Sequence, residues 1–180
     1  TQATSAARPT YQAGAGLHWL AFDGVDDFLS VDGTSSKDWT IAAGITPLAV
    51  DLDGPMYGSF VSSTNRGILY PNDRDAGLGG FRLFEGSNLI SEAGPDLTGT
   101  AIVYSIRSVT TDHLARRNGV SVGTSAASND ADFFPASIGA YPQGSQFGES
   151  KMFGLVVRSG AVDTLSELEQ YLADKSGVAL

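Results

Sequence analysis

Two stretches decide the fold: Ala101-Ile102-Val103-Tyr104-Ser105-Ile106-Arg107 and, a little further on, Arg116-Arg117-Asn118-Gly119-Val120. In the first, Ile102, Tyr104 and Ile106 alternate with Val103, Ser105 and Arg107, the period of two that sends successive side chains to opposite faces of a strand. In the second, Asn-Gly readily takes positive φ at both central positions of a type I′ turn, so two strands meet there in a tight hairpin. The alternation recurs in Trp39–Thr46, where Trp39, Ile41 and Ile45 share one face and Thr40, Ala42 and Thr46 the other. Strands of this kind are expected to cover a core on one side only. Met152-Phe153-Gly154-Leu155-Val156-Val157 is apolar throughout, as a strand covered on both faces would be.

Outward from these stretches, short apolar runs are separated by Gly, Asp, Asn and Pro at the spacing of a sandwich or barrel. The predicted strands are Leu17–Phe22, Phe28–Val31, Trp39–Thr46, Ser59–Ser63, Phe81–Glu85, Ala101–Val109, His113–Arg117, Val120–Gly123, Ala136–Tyr141 and Lys151–Arg158. One segment has a different period. Leu165, Leu168 and Leu172 at helical spacing predict a single amphipathic helix over about 164–176. Ser166 with Glu169, or Thr164 with Glu167, would form its capping box, and Gly177 its C-terminal stop. Residues 1–16 are small and polar and read as an extended arm, so the organisation is that arm and one domain over 17–180.

The composition agrees. Gly makes up 22 of 180 residues, against about 7% in an average protein, and the 20 acids divide into 15 Asp and 5 Glu. Asp favours turns and caps, whereas Glu favours helix interiors. A net charge of −9 argues against nucleic acid or an anionic membrane as a general partner, because both demand a basic surface. No apolar run approaches the roughly 18 residues of a membrane span, so no membrane insertion is expected. The absence of Cys excludes disulfides, thiolate catalysis and Cys-based zinc sites. Without an initiator Met or a signal-like apolar run, the chain reads as part of a longer or processed protein.

Several strings, taken in order, resemble the laminin-G-like, concanavalin A-like sandwich domains of bacterial and phage proteins. Leu20-Ala21-Phe22-Asp23-Gly24-Val25-Asp26-Asp27-Phe28-Leu29 is similar to the family's recurring F-D-G-V-D-D-Y-L, and Gln2–Thr10 precedes it as in the family. Trp39-Thr40-Ile41, Arg117-Asn118-Gly119-Val120, Phe147-Gly148-Glu149 leading into Met152–Arg158, and Glu169–Val178 follow in family order. The strand with a Trp-Asp-Ser-Gly-Asn-Gly-like turn that often precedes the Gln-Ala-Thr stretch is missing. The resemblance implies an all-β, two-sheet antiparallel jelly-roll β-sandwich with one C-terminal α-helix. It also implies a setting on a phage tail, spike or other extracellular assembly, hence a virion or extracellular location.

The fold hosts lectins, adhesins and hydrolases, so function must come from sites. Retaining glucanases need two carboxylates about 5–5.5 Å apart, and no Glu-x-Asp-x-Glu string supplies them. His18 is expected to be a partly buried structural residue and His113 to face solvent. There is no Gly-x-Ser-x-Gly elbow and no Gly-Lys phosphate loop. The chain does not read as an enzyme.

Sugar recognition needs an aromatic platform together with amide or carboxylate groups. Two stretches, each read as a loop opening on a Tyr-Pro step, offer both: Tyr70-Pro71-Asn72-Asp73-Arg74-Asp75 and Tyr141-Pro142-Gln143-Gly144-Ser145-Gln146-Phe147. The candidate ligand-binding residues are therefore Tyr70, Asn72, Asp73, Arg74, Tyr141, Gln143 and Gln146. Trp19 and Trp39 read as core. Ca²⁺, which takes oxygens from loops, is a candidate cofactor held by Asp73 and Asp75. Asp23–Asp27, Asp51–Gly54 and Asn129–Asp132 are further oxygen-rich clusters, the first read as an Asx-type turn between two strands. The expected function is a non-catalytic recognition module for a glycan or cell-surface receptor. A structural or decoration domain binding only other subunits of an assembly is the alternative, with a glycan hydrolase behind both.

Overall fold

The computed structural model describes residues 2–31, 38–49, 57–62, 65–73, 80–85, 88–91, 94–109, 112–125, 137–141 and 145–180. Its strands are β1 (Thr10–Gly14), β2 (Leu17–Asp23), β3 (Leu29–Ser30), β4 (Trp39–Pro47), β5 (Tyr57–Ser62), β6 (Asn65–Asp73), β7 (Gly80–Glu85) and β8 (Asn88–Ser91). After them come β9 (Ile102–Val109), β10 (Asp112–Arg117), β11 (Val120–Ser125), β12 (Ser137–Ile138), β13 (Ala140–Tyr141), β14 (Ser145–Phe147), β15 (Glu149–Ser159) and the helix α1 (Ser166–Ser176). The larger sheet runs β1-β2-β15-β4-β9-β10-β11, the smaller β3-β12-β5-β6-β7-β8, and β13 with β14 makes a separate hairpin. Every described pairing is antiparallel. The molecule is a two-sheet jelly-roll sandwich with one C-terminal helix.

The hairpin read from Asn118-Gly119 forms as expected, with φ of 47° and 78° at the two positions. Asn118 also fixes it to β9: its N–H donates to Val103 O, and its Oδ1 accepts the Val103 N–H, both at 2.8 Å. Ala15-Gly16 makes an equivalent two-residue turn, also with positive φ, between β1 and β2. Part of the expected arm is thus a strand of the larger sheet. Just before it, Ser5–Ala7 forms a 3-10 turn whose Ala7 O accepts the Phe28 N–H at 3.2 Å.

The main core lies between the sheets. Phe22, Trp39, Ile41, Ala43, Ile45, Ile102, Tyr104 and Ile106 from the larger sheet meet Tyr57, Leu69 and Leu83 from the smaller. A second, thinner core lies on the other face of the larger sheet, where Ala42 and Val103 pack against Leu172 and Ala173 of α1. This layer corrects the one-sided reading of the two alternating strands. All of β4 is buried, and so is β9 from Ile102 to Ile106, because the small residues Ala42, Gly44 and Ser105 admit the helix. β15, expected to be covered on both faces, is mostly half-buried. A register shift between Met152 and Gly154 interrupts its alternation.

The helix begins differently from expectation. No side-chain cap bonds its first turn, and Leu165 occupies the N-cap position. Glu169 is instead turned into the sheet, where it accepts a hydrogen bond from Ser105 Oγ and pairs with Arg116. Gly177 does end the helix, in the left-handed conformation with its N–H on Ala173 O.

Both histidines are reversed relative to expectation. His113 is fully buried beside Trp39, with ring centroids 6.4 Å apart, because β10 turns it inward opposite Ser108. His18 is exposed, stacked on Tyr11, whose hydroxyl lies 2.6 Å from Nδ1. Trp39 is core, but Trp19 is half-buried, set against Phe153 with Lys151 Nζ 5.3 Å from its ring centre.

Candidate functional site

One end of the sandwich holds the Asp23–Asp27 turn, the end of β6 at Asn72 and the β13–β14 hairpin. β2 ends there at Asp23 and β15 begins there at Glu149, the two paired in register. Leu48 N–H donates to Glu149 O at 2.9 Å, and the neighbouring Ala49 O accepts from Asn72 Nδ2 at 3.3 Å. Asn72 in turn joins the Asp96–Thr98 segment. The β13–β14 hairpin packs on the Asp23–Asp27 turn through Gly139, where a Cβ would stand 2.3 Å from Phe22 Cδ1 and 3.2 Å from Asp27 O. Only glycine fits there.

Asp23 organises its turn, as the Asx-type reading expects. Its Oδ1 accepts the N–H groups of Val25 (2.8 Å), Asp26 (3.3 Å) and Asp27 (3.4 Å), while Asp27 Oδ2 accepts the Asp23 N–H at 3.0 Å. The bond from Val25, helped by the other amides, holds the Asp23 carboxyl below the ordinary carboxylate range. Asp27 is pushed the other way, chiefly by burial and also by the charges of Asp23 and Asp26. One oxygen from each of Asp23, Asp26 and Asp27 lies within 4.8 Å of the others. That spacing suits a shared Ca²⁺, whose oxygens sit at about 2.3–2.6 Å. Three carboxylates supply only part of the ion's shell of roughly six to eight oxygens, and one Asp23 oxygen is already committed to amides.

The residues expected to bind sugar separate into three groups. Tyr70, Asn72 and Asp73 are strand residues at the end of β6, a correction to the loop reading; the Tyr-Pro step is accommodated by a register shift between Tyr70 and Asp73. Tyr70 is buried and its ring is covered by the Arg82 guanidinium at 4.9 Å. Asn72 is buried too: its Nδ2 is also within hydrogen-bond distance of Asp96 Oδ1 and Thr98 Oγ1, both at 3.2 Å, and its Oδ1 accepts the Leu97 N–H at 3.2 Å. Its amide holds the strand end to the next segment. Tyr141 and Gln146 are on the β13–β14 hairpin, Tyr141 half-buried and Gln146 exposed with φ of 58°. Arg74, Asp75 and Gln143, the Asp73 side chain, and the Asp51–Gly54 and Asn129–Asp132 clusters lie outside the described residues.

From the sequence, Asp26 stands only within the Asp23–Asp27 cluster, and Glu149 is not a site candidate. Both are exposed, and they flank the hairpin because β15 pairs with β2. That long-range pairing is invisible in a local string.

No protein-family model matches the chain, and no curated protein sequence matches it. Solved structures do resemble it. Domain 4 of AbnA, a GH43 extracellular arabinanase from Geobacillus stearothermophilus, solved in complex with arabinotriose, superposes with a TM-score of 0.67 at 14% identity, covering 90% of this chain and 80% of that one. The SAP-like pentraxin of Limulus polyphemus gives 0.61 at 14% identity, over 89% and 82% of the two chains. The binding domain of Paraclostridial Mosquitocidal Protein 1 gives 0.64 at 11% identity over 92% of this chain and 45% of that one. What these structures share with the chain is the two-sheet antiparallel β-sandwich. At these identities the likeness is one of fold.

Proposed function

We propose that the chain is a non-catalytic carbohydrate-recognition module on an extracellular or virion-type assembly, with its glycan surface at the end of the sandwich described above. The observation that carries this reading is the convergence of the Asp23–Asp27 turn and the β13–β14 hairpin on one another. Gly139 at the hairpin's start packs on Phe22 and Asp27 O, exposed Asp23 pairs in register with exposed Glu149, and the hairpin itself carries the half-buried Tyr141 and the exposed Gln146. Aromatic surface for the C–H face of a sugar and planar amide or carboxylate groups for its hydroxyls are the required chemistry. The fold shared with a domain solved in complex with arabinotriose supports the same reading. The lack of a Glu-x-Asp-x-Glu string is the reason for reading the module as non-catalytic.

The test is a glycan array, followed by calorimetry on hits, run with and without Ca²⁺. At least one glycan should bind with an affinity that falls at least tenfold in Gln146→Ala or Tyr141→Ala, with no release of reducing sugar. No binding at millimolar ligand, or turnover of a bound glycan, overturns the reading.

A further inference from the structure

A concavity lies away from that end, on the helix side of the larger sheet. It is an open cleft of about 370 Å³ between the last turns of α1 and the β2 and β15 strands, lined by Leu17, His18, Phe153, Tyr171, Asp174 and Lys175. We propose that this cleft binds a single neutral sugar ring, a second saccharide site independent of the β13–β14 hairpin. The inference rests on the carbohydrate reading of the chain and adds a place and a ligand class to it.

Both walls are aromatic and both are fixed by the fold. Tyr171 is 53% exposed, yet the next two residues, Leu172 and Ala173, are fully buried against Ala42 and Val103. The helix cannot rotate Tyr171 out of the cleft without unpacking that layer. Opposite it, Phe153 sits at the register shift between Met152 and Gly154. There it leans on the indole of Trp19, with ring centroids 6.0 Å apart. An exposed Tyr held by a buried helix face, across from a half-buried Phe backed by Trp, gives two apolar surfaces for sugar C–H groups.

The polar groups complete the set. Asp174 and Lys175 follow Tyr171 at i+3 and i+4, on the same side of the helix. The Lys175 ammonium lies 5.5 Å from the centre of the Tyr171 ring, and Gln170 Nε2 donates to Asp174 Oδ1 at 2.9 Å. The ammonium donor therefore lies over the Tyr171 ring, and the Asp174 carboxylate acceptor lines the same cleft, held by Gln170. Their opposite charges cancel locally, which favours a neutral hydroxyl-bearing ring over a uronate or phosphate. The mixed lining likewise disfavours a purely apolar ligand.

Trp19 supplies the readout. The chain has two Trp, and Trp39 is enclosed in the main core, so ligand in the cleft acts on Trp19 emission through Phe153. The probes are the methyl pyranosides of galactose, glucose and xylose, arabinotriose, and glucuronate as the charged control. At least one neutral probe should change Trp emission saturably. Its apparent affinity should fall at least tenfold in Tyr171→Ala and measurably in Asp174→Ala, and hold in Gln146→Ala. Both cleft substitutions are at exposed positions, and unchanged thermal midpoints would verify folding. Binding that survives Tyr171→Ala but is lost in Gln146→Ala, or a preference for glucuronate, overturns this proposal while leaving the hairpin site standing. Absence of binding to any saccharide overturns both.

Discussion

Glu169 Oε2 stands 3.3 Å from Arg116 Nη2, joining the only described α-helix to the β10–β11 hairpin across the outer face of the larger sheet. The Glu169 side chain is 1% exposed and Arg116 25% exposed. Ser105 Oγ donates to the other carboxylate oxygen, and Arg116 also donates to Gly119 O, so the pair is built into a network. Removing one partner of a buried pair costs more than removing both, because a charge is left uncompensated. Arg116→Met should destabilise by about 3 kcal/mol, and Glu169→Gln, which can still accept from Ser105, by about 1–2 kcal/mol. The double variant Arg116→Met with Glu169→Leu should recover much of the loss of the first. Urea unfolding of the four proteins checks the order; a double variant no more stable than Arg116→Met alone would contradict it.

Two glycines should respond differently to the same methyl group. At Gly139, φ is +84° and an added Cβ would lie 2.3 Å from a ring carbon of buried Phe22. Gly139→Ala should cost about 3 kcal/mol or more, from backbone strain and overpacking together. At Gly154 the Cβ would meet only Leu172 Cδ2, at 2.8 Å, the far end of a flexible side chain. Gly154→Ala should cost roughly 1 kcal/mol, the lower end of the overpacking range. Equal thermal shifts in the two variants would refute this account of the hairpin's seating.

Asn72 is expected to matter for folding more than for ligand binding. Asn72→Ala would orphan the buried Leu97 N–H and release Ala49, Asp96 and Thr98, a loss of about 2–3 kcal/mol. Asp96 is tied to the same cluster. Bonds from Thr98, with a further one from Asn72, hold its carboxyl below the ordinary range. A depressed folded value contributes stability above the unfolded pKa of about 3.9, which is lost as pH falls through the folded value. Acid titration of stability should therefore be shallower in Asn72→Ala than in wild type below about pH 4.

Asp27 has the opposite sign. Its folded carboxyl is raised by burial, so its contribution is fully present below the unfolded value and is lost as pH rises through the folded one. Asp27→Asn keeps an oxygen for the Asp23 N–H and removes the charge. The variant should melt about 1–3 °C above wild type at pH 7, and the gap should close below about pH 4. Calorimetric midpoints across pH 3–7 measure it, and a lower midpoint at neutral pH would refute the burial argument.

Much of the architecture is legible in the sequence because its signals are local. Alternation marks β4 and β9, Asn118-Gly119 marks its hairpin, and the Leu spacing with Gly177 marks α1. β1 leaves no such mark because all five of its residues are exposed, so no buried face imposes a pattern. β6 is obscured because Gly67, Pro71 and Asn72 interrupt it, although pairing with β5 and β7 holds it extended. The second buried face of β4 is unreadable for a related reason. Ala42 and Gly44 look like a weak polar side until a helix is known to lie on them. Of the candidate site, Tyr141 and Gln146 are legible from composition, whereas Asn72's internal bonding and Phe153's turn toward the helix depend on register. The places of the two histidines depend on register in the same way.

The position of β15 has a consequence for how the chain acquires its shape. The last described strand, Glu149–Ser159, inserts between β2 and β4, both made long before it. Until the ribosome has released it, the β1–β2 hairpin has no neighbour within its own sheet, and α1, which packs on β4, β9 and β15, has no completed surface to settle on. Folding should therefore be withheld until Glu149–Ser159 has emerged and then close in one cooperative step, with the slow kinetics of long-range pairing. A nascent chain halted before Glu149 would carry an open seam at its centre, which a chaperone or another copy's β15 could occupy.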